Sequence, residues 1–335
     1  MSKAKYYVLI LFLFFQFNVQ YSSVLGQTNS VSVIFDTDMG PMIDDVGALA
    51  MLHALSDNGE AEILATIASN THPDIARVID VFNTYYGRPN IPIGVPKGPA
   101  VEISDTPGFN IFGGWTRYLV NNYPATIRSN EVAADAVKLV RRILSKQPDN
   151  SVTIITVGFL TNLADLLASG EDEYSNLNGV ELVERKVIRL VAMAGIFPSG
   201  HEYNLNMDTR ASMIAFEHWP TEIIFSGFEI GRNVRSGMAI VNNDEINNSP
   251  VREAFRMKLD GDRSSFDQTA VLVAVRGVNP FYELEQGRIT IELDGRNGWD
   301  SSGEGHYYLV EKMDPSEVGE IIDELIQQQP KLRSW

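Results

Sequence analysis

From residue 31 onward the apolar positions come in short, nearly unbroken runs: VSVIF (31–35), ILATIAS (63–69), IPIGV (91–95), VTIITVG (152–158), VIRLVAMAG (187–195) and EIIFSG (222–227). Each run is rich in Val and Ile, as expected of parallel strands covered on both faces. Between them the pattern predicts helices over 44–56, 74–86, 131–146, 161–169 and 208–218. Strand and helix in alternation predict an α/β fold, a single-domain open, mostly parallel doubly wound sheet. Beyond residue 280 the runs RITIEL (288–293) and HYYLVEK (306–312), followed by a helix over 315–328, predict a small antiparallel C-terminal addition. The stretch 96–130, punctuated by Pro96, Gly98, Pro99, Pro107, Gly108, Gly113 and Gly114, reads as a long loop with short structure, and loops of that length usually serve function.

The first 26 residues stand outside this pattern. Lys3 and Lys5 precede an apolar stretch from Tyr6 to Phe17, and small residues around Ser22–Gly26 follow, the layout of a secretory signal peptide cleaved near Gly26/Gln27. The stretch is shorter than the roughly 20 residues a bilayer needs, which argues against a retained membrane anchor. The expected product is one secreted or periplasmic domain over 27–335. The chain has no cysteine, so no disulfide can support that domain outside the cell. With 27 Lys+Arg against 43 Asp+Glu the formal charge is −16, and no basic patch offsets it, so a nucleic-acid partner is not expected.

The charge is concentrated in a telling place. In FDTDMGPMIDDVGALAML (35–52), Asp36, Asp38, Asp44 and Asp45 fall within ten positions, at the end of the first strand and the start of the first helix. In an open α/β sheet that edge is where ligands bind. One or two of these acids suit the positive end of the helix as caps. Capping does not account for four. Their mutual repulsion is best relieved by a hard cation, and an all-oxygen set without Cys or His suits Ca²⁺ or Mg²⁺ rather than zinc.

This segment resembles the aspartate-rich N-terminal motif of the inosine–uridine preferring nucleoside hydrolase family, calcium-dependent ribohydrolases. Further segments fall in the family's order: ASN ending at Asn70, VGFLTNLADLL (157–167), VAMAG (191–195), EYNLNMD (202–208) and FDQTAVL (266–272). The resemblance implies that Asp38 is both metal ligand and general base, that Asp45 and Asp267 are metal ligands, and that the Val157 carbonyl completes the protein's share of the Ca²⁺ site. It implies that Asp44 and Asn70 hold the ribose 2′- and 3′-hydroxyls, Asn204 the 3′ side and Glu202 the 5′-hydroxyl, with Met193 under the sugar and Asp36 as support behind the ligands. It also implies a nucleoside substrate and a homodimer or homotetramer.

Cleavage of a glycosidic bond passes through an oxocarbenium-like sugar, which carboxylates around the ring stabilise, while a carboxylate base activates water beside the cation. Polar groups dedicated to each hydroxyl select ribose over deoxyribose, because a missing hydroxyl leaves them unpaired.

Three departures from the family pattern stand out. Asp44 and Asp45 follow Asp38 by six and seven residues, with Pro41 and Met42 between, where the commoner spacing is four and five. The loop between Met193 and Glu202 is short. Phe266 occupies the place before Asp267 where a histidine often protonates the leaving base. In a purine-preferring branch an aromatic at that place and a Trp in an early loop stack on the base, a role that Phe266 and Trp115 match. His201 and His306 are the other candidates for protonating it. Two alternatives remain open: an exported nucleoside or sugar receptor that keeps the pocket without the chemistry, and a haloacid-dehalogenase-type phosphatase, whose DxD start FDTD resembles.

Overall fold

The computed structural model describes residues 30–40, 42–103 and 114–331. The leader, Pro41 and much of the loop after Ile103 lie outside the described residues. The strands are β1 (Val31–Thr37), β2 (Ala61–Ala68), β3 (Ile93–Val95), β4 (Ala134–Asp135), β5 (Val152–Thr156), β6 (Val187–Met193), β7 (Gly200–His201), β8 (Glu222–Ser226), β9 (Arg235–Ser236), β10 (Arg263–Ser264), β11 (Tyr282–Ile291), β12 (Arg296–Asp300) and β13 (His306–Glu311). The helices are α1 (Asp44–Asp57), α2 (Ile75–Tyr85), α3 (Trp115–Asn122), α4 (Ala136–Leu144), α5 (Thr161–Ala168), α6 (Gly179–Lys186), α7 (Tyr203–Met207), α8 (Thr209–His218), α9 (Phe228–Asn233), α10 (Met238–Asn242), α11 (Pro250–Lys258), α12 (Phe266–Arg276) and α13 (Pro315–Ile326).

Eleven strands form one sheet in the order β4-β3-β2-β1-β5-β6-β8-β13-β11-β12-β7. From β4 to β13 every pairing is parallel, and β11, β12 and β7 extend the far edge in antiparallel fashion. This is the doubly wound architecture the pattern predicts. Neighbouring residues of β1 point to opposite faces: Val33 and Phe35 enter one core, packed by α1, α2 and α12, and Ile34 enters the other, packed by α4, α5 and α8. Two buried faces explain why the strands read as continuous apolar runs rather than alternating ones.

Strand order reverses beside β1. The chain moves outward through β2, β3 and β4, then returns to add β5 on the other side. At such a reversal the connections leave in opposite directions and open a crevice at the carboxyl ends of the strands.

Some boundaries differ from the expectation. The helix predicted from 131 begins at Ala136, because Asp135 caps it, accepting from the Lys138 amide at 2.9 Å, and residues 134–135 instead pair with β3. The region 96–130 includes the helix α3. The run at 306–312 is antiparallel to β11 on one side and parallel to β8 on the other, so it joins the addition to the main sheet.

Gly158, just past β5, shows how tightly the crevice is built. A Cβ there would lie 2.3 Å from Ser69 Oγ and 2.5 Å from the Asp38 amide nitrogen. Gly158→Ala is therefore expected to cost about 1–3 kcal/mol through overpacking, read as a lowered midpoint in chemical denaturation. An unchanged midpoint would show that the crevice yields.

Candidate active site

β1 ends by placing Asp36 inside the sheet and Asp38 beyond it. The chain then turns through Met39, whose φ is 41°, and Gly40, where a Cβ would come within 2.6 Å of Asp38 Oδ2. Asp45, in the first turn of α1, holds this turn closed: its carboxylate accepts from the Met39 amide at 2.9 Å, the Gly40 amide at 3.2 Å and the Thr37 hydroxyl. Asp44 and Asp45 lie where the positive end of the helix favours acids, and neither is spent on a side-chain cap of the helix.

Asp267 arrives from the opposite part of the sequence, in the first turn of α12, which packs against α1. Carboxylate oxygens of Asp44, Asp45 and Asp267 all lie within 4.8 Å of one another. These three and Asp38 line one cavity of about 260 Å³, together with Val157, Met193, Glu202 and Asn204. Met42, Tyr203, Phe228 and Phe266 complete the lining. The cavity sits at the reversal between β1 and β5.

Burial is the largest influence on every one of these acids and pushes each upward from the usual carboxylate range. Asp44 rises to about 8, with the Asp45 charge adding to burial. Asp38 and Asp267 are raised well above the ordinary value, first by burial and then by neighbouring carboxylates. Asp45 is raised by burial against the hydrogen bonds that favour its ionised form.

A cation reverses that balance, and the residues fit a hard one. Every donor is an oxygen, and Asp44 Oδ1 is buried without a hydrogen-bond partner among the described residues. Such an orphaned oxygen is costly unless something outside the protein satisfies it.

The remaining residues divide between cavity and scaffold. Glu202 caps the short helix α7, accepting from the Asn204 and Leu205 amides at 2.9 and 3.2 Å, and also from the Gly195 amide at 3.3 Å. Asn204 donates through Nδ2 to the carbonyls of Val157 at 3.2 Å and Met193 at 3.1 Å, which leaves the Val157 carbonyl a second lone pair. Asp36 is sealed behind the cavity, with the Asn162 amide 3.4 Å from each of its oxygens. Asn70 is also sealed: its Nδ2 donates to the Asp38 carbonyl at 2.5 Å and its Oδ1 accepts from the His72 amide at 2.9 Å. It clasps the backbone of Asp38 and does not line the cavity.

Trp115, expected at the base, is fully buried in the core and lies outside the cavity lining. Phe266 is at the cavity, and its ring stacks on Phe228 with centroids 4.9 Å apart. His201 is exposed and bonded to the Asp294 carbonyl at 3.0 Å, and His306 is buried in the other core with burial lowering it to about 4. Neither histidine reaches the cavity. Three lining residues were not read from the sequence. Tyr203 had a signal, since it stands between Glu202 and Asn204 in EYNLNMD. Met42 was seen only as a departure from the family's loop, and Phe228, one residue past the EIIFSG strand, comes to the cavity only through the fold.

The model for the inosine–uridine preferring nucleoside hydrolases matches residues 33–319. The chain belongs to this family. No curated protein matches it by sequence. Among solved structures the nucleoside hydrolase resembles the inosine–uridine preferring nucleoside hydrolase of Bacillus anthracis, at 15% identity and a TM-score of 0.68, covering 89% of this chain and 99% of that one. It also resembles the purine-preferring ribonucleoside hydrolase of Gardnerella vaginalis, at 17% identity and a TM-score of 0.67, covering 88% and 99%. A third match is the type III effector protein XopQ complexed with adenosine diphosphate ribose, at 14% identity and a TM-score of 0.67, covering 89% and 92%. As a nucleoside hydrolase the protein is an enzyme that acts on N-glycosyl bonds. The family depends on a metal, and this chain carries an acid triad, Asp44, Asp45 and Asp267, whose carboxylates are close enough together to hold one.

A pH dependence follows from the raised acids. Without a cation, the folded chain holds protons that the unfolded chain releases near the ordinary carboxylate value, so the stability these acids contribute is present in full below that value and is lost as pH rises toward the Asp44 value of about 8. Thermal melts in chelator are expected to fall between pH 5 and 8, and saturating calcium or magnesium is expected to flatten the trend. Parallel curves with and without the cation would show that these carboxylates do not bind it.

Proposed function

We propose that the protein is an exported, calcium-dependent N-ribohydrolase that cleaves ribonucleosides to ribose and free base, with a preference for purines. The observation that carries this reading is the convergence of Asp38, Asp44, Asp45, Asp267 and Glu202, all buried, on one cavity at the reversal of strand order.

In this reading Asp38, Asp45, Asp267 and the Val157 carbonyl hold the ion. When bound, calcium keeps the carboxylates ionised and makes a neighbouring water more acidic, though far less than zinc does, so a carboxylate base is needed. Asp38 takes the proton from the attacking water. Asp44 binds the 2′- and 3′-hydroxyls, Asn204 the 3′ side and Glu202 the 5′-hydroxyl, while Asn70 acts through the Asp38 backbone. Met193 lies beneath the sugar. The ionised acids stabilise the positive charge that develops on the ring as the bond to the base breaks.

The stacked pair of Phe266 and Phe228 supports the purine preference, since an aromatic wall gains more from a two-ring base than from a single ring. The family membership displaces the phosphatase alternative. The receptor alternative is separated by experiment: calcium-dependent release of ribose from a panel of nucleosides supports the hydrolase, greater for inosine and guanosine than for uridine, whereas binding without release selects the receptor.

Two variants test the division of labour. Asp45→Ala and Asp267→Ala are expected to abolish calcium binding measured by calorimetry, since each removes a charged ligand from a small set. Asp38→Asn keeps an oxygen but cannot take a proton, so turnover is expected to fall by about 10² to 10⁴ with nucleoside binding largely retained. Near-normal turnover would remove Asp38 from the role of base.

Export rests on the leader layout of residues 1–26. Mass spectrometry of active protein from the periplasm or medium is expected to find a chain beginning near Gln27, and an intact Met1 there would refute it. A homodimer or homotetramer is the assembly expected by analogy with the family.

A further inference from the structure

When the bond between sugar and base breaks, its electron pair leaves with the base. In this cavity that charge would form among five carboxylates, Asp38, Asp44, Asp45, Asp267 and Glu202, which repel it even with one divalent cation present. The base therefore needs a hydrogen. Most of the lining has none to give. Ionised carboxylates only accept, and Met42, Met193, Phe228 and Phe266 carry no side-chain donor. The Asn204 amide hydrogens are directed at the Val157 and Met193 carbonyls.

Tyr203 is the exception among the described lining residues. It opens α7 directly after Glu202, and its ring lies 6.0 Å from that of Phe159 at a tilt of 56°. The side chain lines the cavity and is 45% exposed, and its hydroxyl makes no hydrogen bond to a described residue. It thus presents a neutral O–H at the boundary between cavity and solvent. Burial, and then the charges of Asp38, Glu202 and Asp45, raise the phenol to about 12, so it stays protonated through the physiological range.

We infer that the Tyr203 hydroxyl is the group that donates a proton to the departing base. The inference rests on the ribohydrolase reading above and supplies the acid that Phe266 cannot. The step balances. The bond between C1′ and the base nitrogen breaks with its electron pair on the base, and the base takes the Tyr203 proton. Water gives its oxygen to C1′ and one proton to Asp38. That proton returns to Tyr203 through solvent, which the exposed side chain reaches, and nucleoside plus water becomes ribose plus neutral base.

The test compares two substrates on the calcium-loaded protein. Tyr203→Phe removes one oxygen and keeps the ring against Phe159. Turnover of inosine is expected to fall by about 10² to 10⁴, the usual contribution of a general acid, with KM little changed. Turnover of p-nitrophenyl riboside, whose leaving group departs without a proton, is expected to change by less than about threefold. Tyr203→His, which restores a donor, is expected to recover part of the inosine rate.

Equal losses on both substrates, or an inosine rate that survives in Tyr203→Phe, would overturn the assignment while leaving the hydrolase reading intact. A wild-type protein inert toward both substrates would overturn that reading and this one with it. A lowered thermal midpoint in Tyr203→Phe together with equal losses would count as a structural role, and so against the proposal.

Discussion

Everything in the crevice depends on keeping like charges together where water is scarce. Asp38, Asp44, Asp45 and Asp267 are each buried, and three of them approach within 4.8 Å. Hydrogen bonds within the protein answer only part of this: Asp45 is satisfied by Thr37, Met39 and Gly40, whereas Asp44 Oδ1 has no described partner. A hydrophobic core could hold such a cluster only in protonated form, because isolated buried charges are among the most costly features a fold can carry. The site is thus stable as a set of ions only in company with a cation.

The sheet makes this cluster possible by its order of strands. β1 is central, with β2 on one side and β5 on the other, so its carboxyl end is the point from which both halves of the sheet depart. Asp38 comes just after β1, Val157 just after β5 and Met193 at the end of β6, three neighbouring strands terminating at one level. Glycine permits the approach: at Gly158 there is no room for a side chain between β5 and the Asp38 backbone. Around this fixed edge, short helices carry further lining residues, and the capped start of α7 brings Glu202, Tyr203 and Asn204 to the cavity.

Much of this was legible in the sequence because its physical causes are local. The Val- and Ile-rich runs of β1, β5 and β6 mark strands buried on both faces, and the clustered aspartates mark a site at the first strand's end. What was not legible depended on contacts between distant residues. β4, β7 and β12 exist because neighbouring strands pair with them, and residues 134–135 were read as helix for want of that partner. α12 is buried along most of its length and shows no amphipathic stripe to announce it, so it entered the reading only through Asp267. Asn70 and Trp115 were recognisable as residue types in the right order, but order does not say whether a side chain faces a cavity. Asn70 faces the backbone of Asp38, and Trp115 faces the core. Phe228 approaches Phe266 only once β8 and α12 are folded together.

The docking of α12 on α1 has a further meaning for a chain made from its N-terminus. Asp38, Asp44 and Asp45 emerge early, and the strands around them can pair as soon as β2 and β5 exist. Asp267 emerges only after most of the sheet, so the acidic crevice lacks one of its clustered carboxylates through much of synthesis. Contacts between such distant segments form late, after the entropy of closing the long intervening chain has been overcome. The triad of Asp44, Asp45 and Asp267 is therefore assembled only once the last third of the chain has arrived, and its completion marks the moment at which two distant parts of the sequence have found each other.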